Sequence, residues 1–282
     1  MRELETAVFA FAQLTQDLPD GLLESPWVWK DYEEGIRFAF FRNLEDLNLL
    51  AASLATQRQK VQPITNAQRL LAQYNAAYRD LQAILLGVDD LKAKQVPAEN
   101  EWPVRKALLH IVQAEGGFLA IVDYAVTASR AQDGRSLEIS EEEWDAYWKG
   151  DPFDELAEMG TFFEIMAYYD KLHDRVLDRL VNIQENEIVI PVVYWESQPM
   201  PVDFRLGRFT SHLCQHTIQI EKTLSVLDQG PQEARRLLRL IYRALAEVEG
   251  WLFGSQEFGL EQCSSLANEI NLRTQEISQI IE

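Results

Sequence analysis

Three of the four histidines have positions that could bring their imidazole rings together. His212 and His216 are four residues apart in the stretch SHLCQHTIQI. In an α-helix this spacing puts two Cβ atoms on one face, about 5–6 Å apart. His110 belongs to another predicted helix, on a line of small residues that either lets a neighbouring helix approach or leaves space near the imidazole. Three imidazoles at one point suit zinc, nickel, copper or iron and leave a coordination position for water or substrate. The sequence therefore predicts a divalent-metal site made by these histidines.

The alternative is that these histidines only hydrogen-bond to local carboxylates or to a backbone oxygen. Cys214 lies between the paired histidines but faces the far side of the helix, so it is a poor candidate for the same ion. His173, the fourth histidine, extends an apolar stripe and is flanked by Asp170 and Asp174. We interpret it as a stripe-edge histidine bonded to a carboxylate, with an extra ligand or an acid–base group as the alternative.

Helical periodicity dominates the chain, and it determines which elements must position the histidines. The predicted helices cover about 2–16, 31–59, 66–87, 102–129, 152–183, 204–227, 232–253 and 259–281. We predict Asn66 as an N-cap, and Ser140 with Glu143 as the capping box of one more short helix. The helix at 152 has a second candidate start at Thr161. Residues 185–203, with three prolines and several β-branched residues, are predicted to form an extended loop.

The pattern predicts an all-α fold built on a four-helix bundle. Its helices are those that begin near 66, 102, 152 and 204, and a long crossover joins the second to the third. The predicted boundaries are an N-terminal helical extension at 1–63, the bundle at 64–230, and a C-terminal helical extension at 231–282 that packs on the bundle.

Composition argues against several classes of function. The chain has 282 residues, a formal charge of −19 and a pI near 4.6, so nucleic acid and anionic membrane surfaces are poor partners. We identify no apolar run of the roughly 20 residues that span a bilayer, and no signal peptide. Two cysteines suit a reducing cytoplasm rather than a disulfide scaffold. We expect a small-molecule substrate at the open coordination position of the predicted metal site.

The order of motifs resembles the DinB/YfiT-like superfamily over about residues 66–228. The motifs are Trp102 followed after seven residues by His110, then HDRVLDRL, then RFTSHLCQHTIQI. The resemblance implies a four-helix bundle with one divalent metal, held by a histidine of the second helix and an HxxxH pair of the fourth. Those positions are His110, His212 and His216 in this chain.

The resemblance also implies a range of activities. Members of this superfamily include thiol-dependent transferases and isomerases, whose zinc or nickel activates a low-molecular-weight thiol such as bacillithiol, mycothiol or glutathione. Others are described as metal-dependent hydrolases, and homodimers are common. We therefore expect a divalent-metal-dependent S-transferase or hydrolase. The alternatives are a non-enzymatic metal-binding or stress-response protein, and a metal-free structural helical protein.

Further side chains are candidates for roles around the site. Carboxylates that could orient the histidine rings are Glu115, Glu164, Asp203 and Glu221. Arg205 and Arg208 begin the helix of the histidine pair; they either receive an anionic substrate or pair with the acidic surface, and we favour the surface. The aromatic residues of the two long connections either line a pocket or close the core at one end of the bundle, and we favour the second; they are Trp144, Trp148, Tyr194 and Trp195.

Overall fold

The computed structural model describes residues 2–132, 138–196, 198–227, 229–255 and 257–282. The α-helices in this part of the chain are α1 (Arg2–Thr15), α2 (Ile36–Val61), α3 (Asn66–Ile84), α4 (Asp90–Lys94), α5 (Val104–Ala131), α6 (Glu141–Tyr147), α7 (Phe153–Met159), α8 (Phe162–Leu180), α9 (Val202–Val226), α10 (Glu233–Leu252) and α11 (Leu260–Ile281). Short strands are β1 (Pro26–Trp29), β2 (Tyr32–Gly35), β3 (Pro191–Val192) and β4 (Met200–Pro201), and Asp20–Glu24 forms a 3-10 helix. The predicted all-α class is confirmed.

The chain divides into two compact units. The terminal unit contains Met1–Ile64, Asn75–Gly87 and Gly230–Glu282, and the central unit contains Thr65–Tyr74 and Val88–Gln229. The two terminal segments, predicted as separate extensions, fall in one unit, and residues 75–87, predicted as part of the bundle, group with them.

The terminal unit is a helical assembly with its own apolar core. In it α2 packs on α10, and α1 packs on α11. Phe11 and Phe40 meet edge to face in this core, with ring centroids 5.0 Å apart. Arg79 Nη2 lies 2.6 Å from Glu249 Oε1, and both side chains are buried. A buried pair of this kind holds its partners in one geometry because either charge alone would be costly to desolvate.

A β-hairpin in the terminal unit was missed by the sequence reasoning, which placed a helix from about residue 31. Strands β1 and β2 are antiparallel, with Trp27 opposite Glu34. Lys30 turns the chain with a φ of 55°. The alternation of aromatic and β-branched residues in PWVW was the available signal, but four residues are too few to separate a strand from the start of a helix.

In the central unit, α5 is the helix against which the others are arranged. It packs on α9, α8 and α4. Tyr74, at the end of the α3 segment in this unit, packs against Phe209 of α9 with ring centroids 5.0 Å apart. The connection from α5 to α8 holds the short helices α6 and α7, in the place of the predicted long crossover. This packing brings the buried faces of α5 and α9 together.

Side-chain caps determine where several central helices begin. Ser140 and Glu143 form the predicted capping box at α6. Thr161 and Glu164 form a second box at α8, so the stretch from 152 is two helices rather than one. The predicted cap at Asn66 is wrong, because the reciprocal bonds join the Thr65 hydroxyl to the Gln68 amide and the Gln68 side chain to the Thr65 amide. A T-x-x-Q pair satisfies two free amides at once, which one Asn cannot do.

Helix α5 is, in the described part of the chain, the single helix long and apolar enough to cross a membrane by length and composition. The prediction that the chain has no apolar run of this length is therefore wrong. Within its apolar window 72% is buried inside the protein, as expected for the core helix of a bundle.

Candidate metal centre

The packing of α5 on α9 brings the three predicted ligands together. One ring nitrogen from each of His110, His212 and His216 lies within 4.8 Å of the others. The Nε2 atoms of His110 and His212 are 3.2 Å apart. Two nitrogens bound to one tetrahedral zinc at about 2.0–2.1 Å would stand roughly 3.3 Å apart. The donor set and its spacing therefore fit a divalent transition metal.

Second partners of the rings determine which nitrogen is available. His216 Nδ1 lies 2.8 Å from Gln219 Oε1. The amide oxygen can only accept, so this bond places the proton on Nδ1 and leaves the Nε2 lone pair of His216 available to an ion. Sequence reasoning missed Gln219, although it follows His216 by three residues and so shares its helix face.

Burial favours the neutral form of two of the imidazoles, those of His110 and His212. The pKa of His212 is lowered to about 3, first by burial and then by the nearby His216, His110 and Arg208. The pKa of His110 is lowered by burial and by His216. A metal requires neutral imidazole ligands, so the electrostatics of the cluster and its donor chemistry agree.

Aromatic side chains surround the cluster. Trp102 lies parallel to the ring of His216, with centroids 6.3 Å apart, and meets His110 edge-on at 5.3 Å. Phe118 meets His212 edge-on at 5.8 Å. These rings replace water on one side of each histidine, which strengthens electrostatic interactions at the cluster.

Glu115 does not have the predicted role of orienting a histidine ring. It is fully buried, and it accepts hydrogen bonds from Tyr74 at 2.5 Å and Tyr169 at 2.8 Å. Burial raises the pKa of its carboxyl to about 8, although both tyrosine bonds act in the opposite direction. The result is a carboxyl group in the bundle core that takes up a proton near neutral pH.

Two of the other predicted carboxylates have different roles. Glu164 caps its own helix α8. Asp203 accepts a hydrogen bond from the following backbone amide. Glu221 is half-buried on α9, and its role at a histidine ring stays a prediction. The ring partner of His216 that the structure gives is an amide, Gln219.

Arg205 and Arg208 have different environments, although we predicted the same role for both from the sequence. Arg205 is fully buried, and its Nη1 lies 2.5 Å from Glu196 Oε2. The favoured surface interpretation is therefore wrong for Arg205. Arg208 is half-buried, and its guanidinium lies over the Trp195 ring at 5.5 Å.

The remaining histidine and the nearby cysteine lie outside the cluster. His173 is buried, with its ring 4.7 Å from that of Tyr74. Cys214 is exposed on α9 and forms no disulfide. The geometric argument that removed Cys214 from the ligand set is borne out.

A cavity of about 400 Å³ lies beside α5 in the central unit. Its walls include Gln113, Gly116, Gly117, Trp144, Trp148 and Tyr168, together with the carboxylates Asp145, Asp151 and Asp154. The α5 residues of this wall lie between two and seven positions after His110 in the same helix. The expectation that Trp144 and Trp148 only close the core is wrong.

Gly117 makes the aromatic wall possible. A Cβ at this position would lie 2.1 Å from the hydroxyl oxygen of Tyr194, so a larger residue would push Tyr194 away. The Tyr194 ring stacks on Trp144 at 6.4 Å and on Trp195 at 6.0 Å. The two long connections therefore meet over the small residues of α5.

Comparison with known proteins agrees with the order of motifs. The family model described as the DinB superfamily matches residues 73–220, slightly more than half of the chain. The chain belongs to the DinB superfamily. The matched range contains all three clustered histidines, so this DinB-superfamily chain is a helical protein with a candidate metal site. No curated protein and no solved structure matches it.

Proposed function

We propose that the protein is a divalent-metal-dependent enzyme in which His110, His212 and His216 hold a zinc or nickel ion. The observation behind this proposal is the meeting of three imidazole nitrogens from two helices within 4.8 Å of one another. Three protein ligands leave at least one coordination position for a further molecule, as catalytic sites do and closed structural sites do not.

The reaction we propose is transfer of a low-molecular-weight thiol to a small electrophile. The sulfur forms a bond to carbon, the bond from that carbon to its leaving group breaks with the electron pair going to the leaving group, and the thiol proton passes to water. A divalent ion here would lower the pKa of a thiol or water at its free position. The surrounding residues would support this chemistry: Gln219 fixes the ring of His216, and Trp102 with Phe118 excludes water. Hydrolysis uses the same arrangement with water in place of the thiol.

The cavity beside α5 is the proposed place of the small-molecule substrate. Its volume of about 400 Å³ is within the size range of ligand pockets. Two tryptophans supply apolar surface for a planar or aliphatic group. The carboxylates at its wall favour an uncharged or cationic group over an anionic one at that end.

Metal analysis tests the first part of the proposal. Purified protein should contain about one equivalent of metal, and His110→Ala, His212→Ala and His216→Ala should each lose it. Cys214→Ala is the matched control, because it removes a candidate donor from α9 outside the cluster. Full occupancy in all three histidine variants would refute the metal site.

A thiol assay tests the second part. Metal-loaded protein is mixed with glutathione, mycothiol or bacillithiol and an aromatic chloride electrophile, and formation of the S-conjugate is measured. We expect at least one thiol to react faster with the wild type than with His212→Ala. Metal binding without turnover of any thiol or ester would instead support a non-enzymatic metal-binding or stress-response protein.

Two further proposals concern the cellular compartment and the oligomeric state. Thiol chemistry requires a reducing compartment, so we propose the cytoplasm, which suits the two free cysteines. A homodimer is proposed from the resemblance alone, and light scattering of the purified chain would test it.

A further inference from the structure

Arg208 lies next to the histidine cluster on the same helix. It precedes His212 by four residues, a spacing that puts both side chains on one face of α9. A molecule that reaches the cluster therefore comes within range of this guanidinium.

Arg208 has no carboxylate partner among residues 2–132, 138–196, 198–227, 229–255 and 257–282. Its contacts there are a 3.4 Å bond from Nη1 to the Ser211 hydroxyl and the ring of Trp195, while Nε is buried without a hydrogen bond. The neighbouring Arg205 takes Glu196 as its ion-pair partner. The chain has 45 acidic and 26 basic residues, so acidic side chains are abundant, yet none of those described pairs with this half-buried cation.

The guanidinium of Arg208 lies over the ring of Trp195. The Arg208 guanidinium lies 5.5 Å from the centroid of the Trp195 ring, and this ring meets Phe118 edge-on at 6.3 Å. Phe118 in turn contacts His212. The contacts form a continuous path from the arginine to the metal cluster. A guanidinium on an aromatic face keeps its N–H donors at its edge, where they match a carboxylate.

We propose that Arg208 binds the carboxylate group of a small molecule whose other end coordinates the metal ion held by the three histidines. The site therefore selects an anionic thiol over a neutral one of the same size. This inference rests on the proposed function, because it assigns the substrate class at the same site. In this proposal Arg208 determines specificity. It supplies a positive charge, whereas the charged side chains of the cavity wall are carboxylates.

Matched thiol probes test this inference without turnover. Cobalt(II)-loaded protein is titrated with 3-mercaptopropionate and with 3-mercapto-1-propanol, and the sulfur-to-cobalt absorption band gives each Kd. The variants are Arg208→Gln, Arg208→Lys and, as a control with the same charge change, Arg69→Gln, whose side chain is exposed on α3. The ratio of the two Kd values is compared between proteins, so the intrinsic difference between the thiols cancels.

We expect the wild type and Arg69→Gln to bind the carboxylate thiol about tenfold more tightly or better, as one charge-assisted hydrogen bond allows. Arg208→Gln should lose this preference while its Kd for the neutral thiol stays unchanged, which also shows that it folds. Arg208→Lys should keep part of the preference as a point charge.

Two results overturn the inference and leave the proposed function standing. One is a ratio of the two Kd values in Arg208→Gln equal to that of the wild type, and the other is a wild type that shows no preference for the carboxylate thiol. Failure of either thiol to change the cobalt spectrum of the wild type overturns the proposed thiol chemistry and the inference with it.

Discussion

The buried carboxyl group of Glu115 predicts a pH dependence of stability that one substitution can isolate. Glu115 lies in the core between Tyr74 and Tyr169, which both donate to it. Replacement by glutamine keeps the shape and most of the hydrogen-bonding capacity but removes the titration. The difference between the wild type and Glu115→Gln therefore reports this carboxyl group alone.

The sign and size of the effect follow from the pKa of Glu115. Its ordinary value is 4.5 and burial raises it to about 8. Below 4.5 the group is protonated in both states, and its contribution to stability is fully present. As the pH rises, the unfolded chain releases the proton while the folded protein keeps it, so this contribution falls by about 1.4 kcal/mol per pH unit. The loss is complete above the folded pKa, with an upper limit of roughly 5 kcal/mol over the interval.

Urea unfolding of both proteins in EDTA, at one-unit steps from pH 5 to pH 9, measures this difference. The free energy of unfolding of the wild type should fall relative to Glu115→Gln up to about pH 8 and then stay level. Tyr74→Phe gives a second check: it removes a donor that favours the charged carboxylate, so the pKa of Glu115 should rise further. A difference between the wild type and Glu115→Gln that is the same at every pH would refute the assigned pKa.

Three other substitutions have expected outcomes. Gln219→Leu removes the amide that orients His216 and should weaken zinc affinity about 10- to 100-fold, measured by competition with a chelating dye, with helix content unchanged. Glu196→Gln leaves the buried Arg205 without its charge partner and should cost about 3 kcal/mol, the lower end for a buried pair, because the Glu196 side chain is 29% exposed. Arg79→Met leaves a buried carboxylate unpaired in the terminal unit and should cost about 3–5 kcal/mol in urea unfolding, whereas a cost below 1 kcal/mol would show that the pair contributes little.

The helical fold and the histidine cluster could be predicted because both depend on short-range spacing. Apolar residues at three-to-four spacing predicted each long helix to within a few residues, apart from the stretch from 152, which forms two helices, and the helix placed from about 31, whose first residues form β2. The separation of His212 from His216 fixes their common face without any knowledge of the rest of the fold. His110 needed more, namely a neighbouring helix at close range, and its line of small residues was the signal for that approach.

The parts that could not be predicted depend on which distant segments meet. Nothing near Arg205 in the sequence indicates complete burial, because its partner Glu196 comes from the preceding connection. Glu115 was a reasonable candidate to orient a histidine from its position on α5, but two tyrosines of other helices reach it first. Gln219 did have a local signal as a ring partner, namely its three-residue spacing from His216. We missed it because we expected a carboxylate in this role.

The candidate metal centre and the proposed substrate cavity are built from different kinds of segment, and this difference would bear on specificity. The proposed ligands lie inside the long helices α5 and α9, whose rise and turn fix the spacing of the three nitrogens. The cavity wall and the aromatic rings beside Arg208 come largely from the connections on either side of α8. Changes in these connections can alter the shape and charge around the open position while the ligand geometry stays as it is. The candidate ligand set and the groups around its open position are therefore separable in this fold, which is why the spacing of three histidines predicts the ligands but not the molecule that would bind beside them.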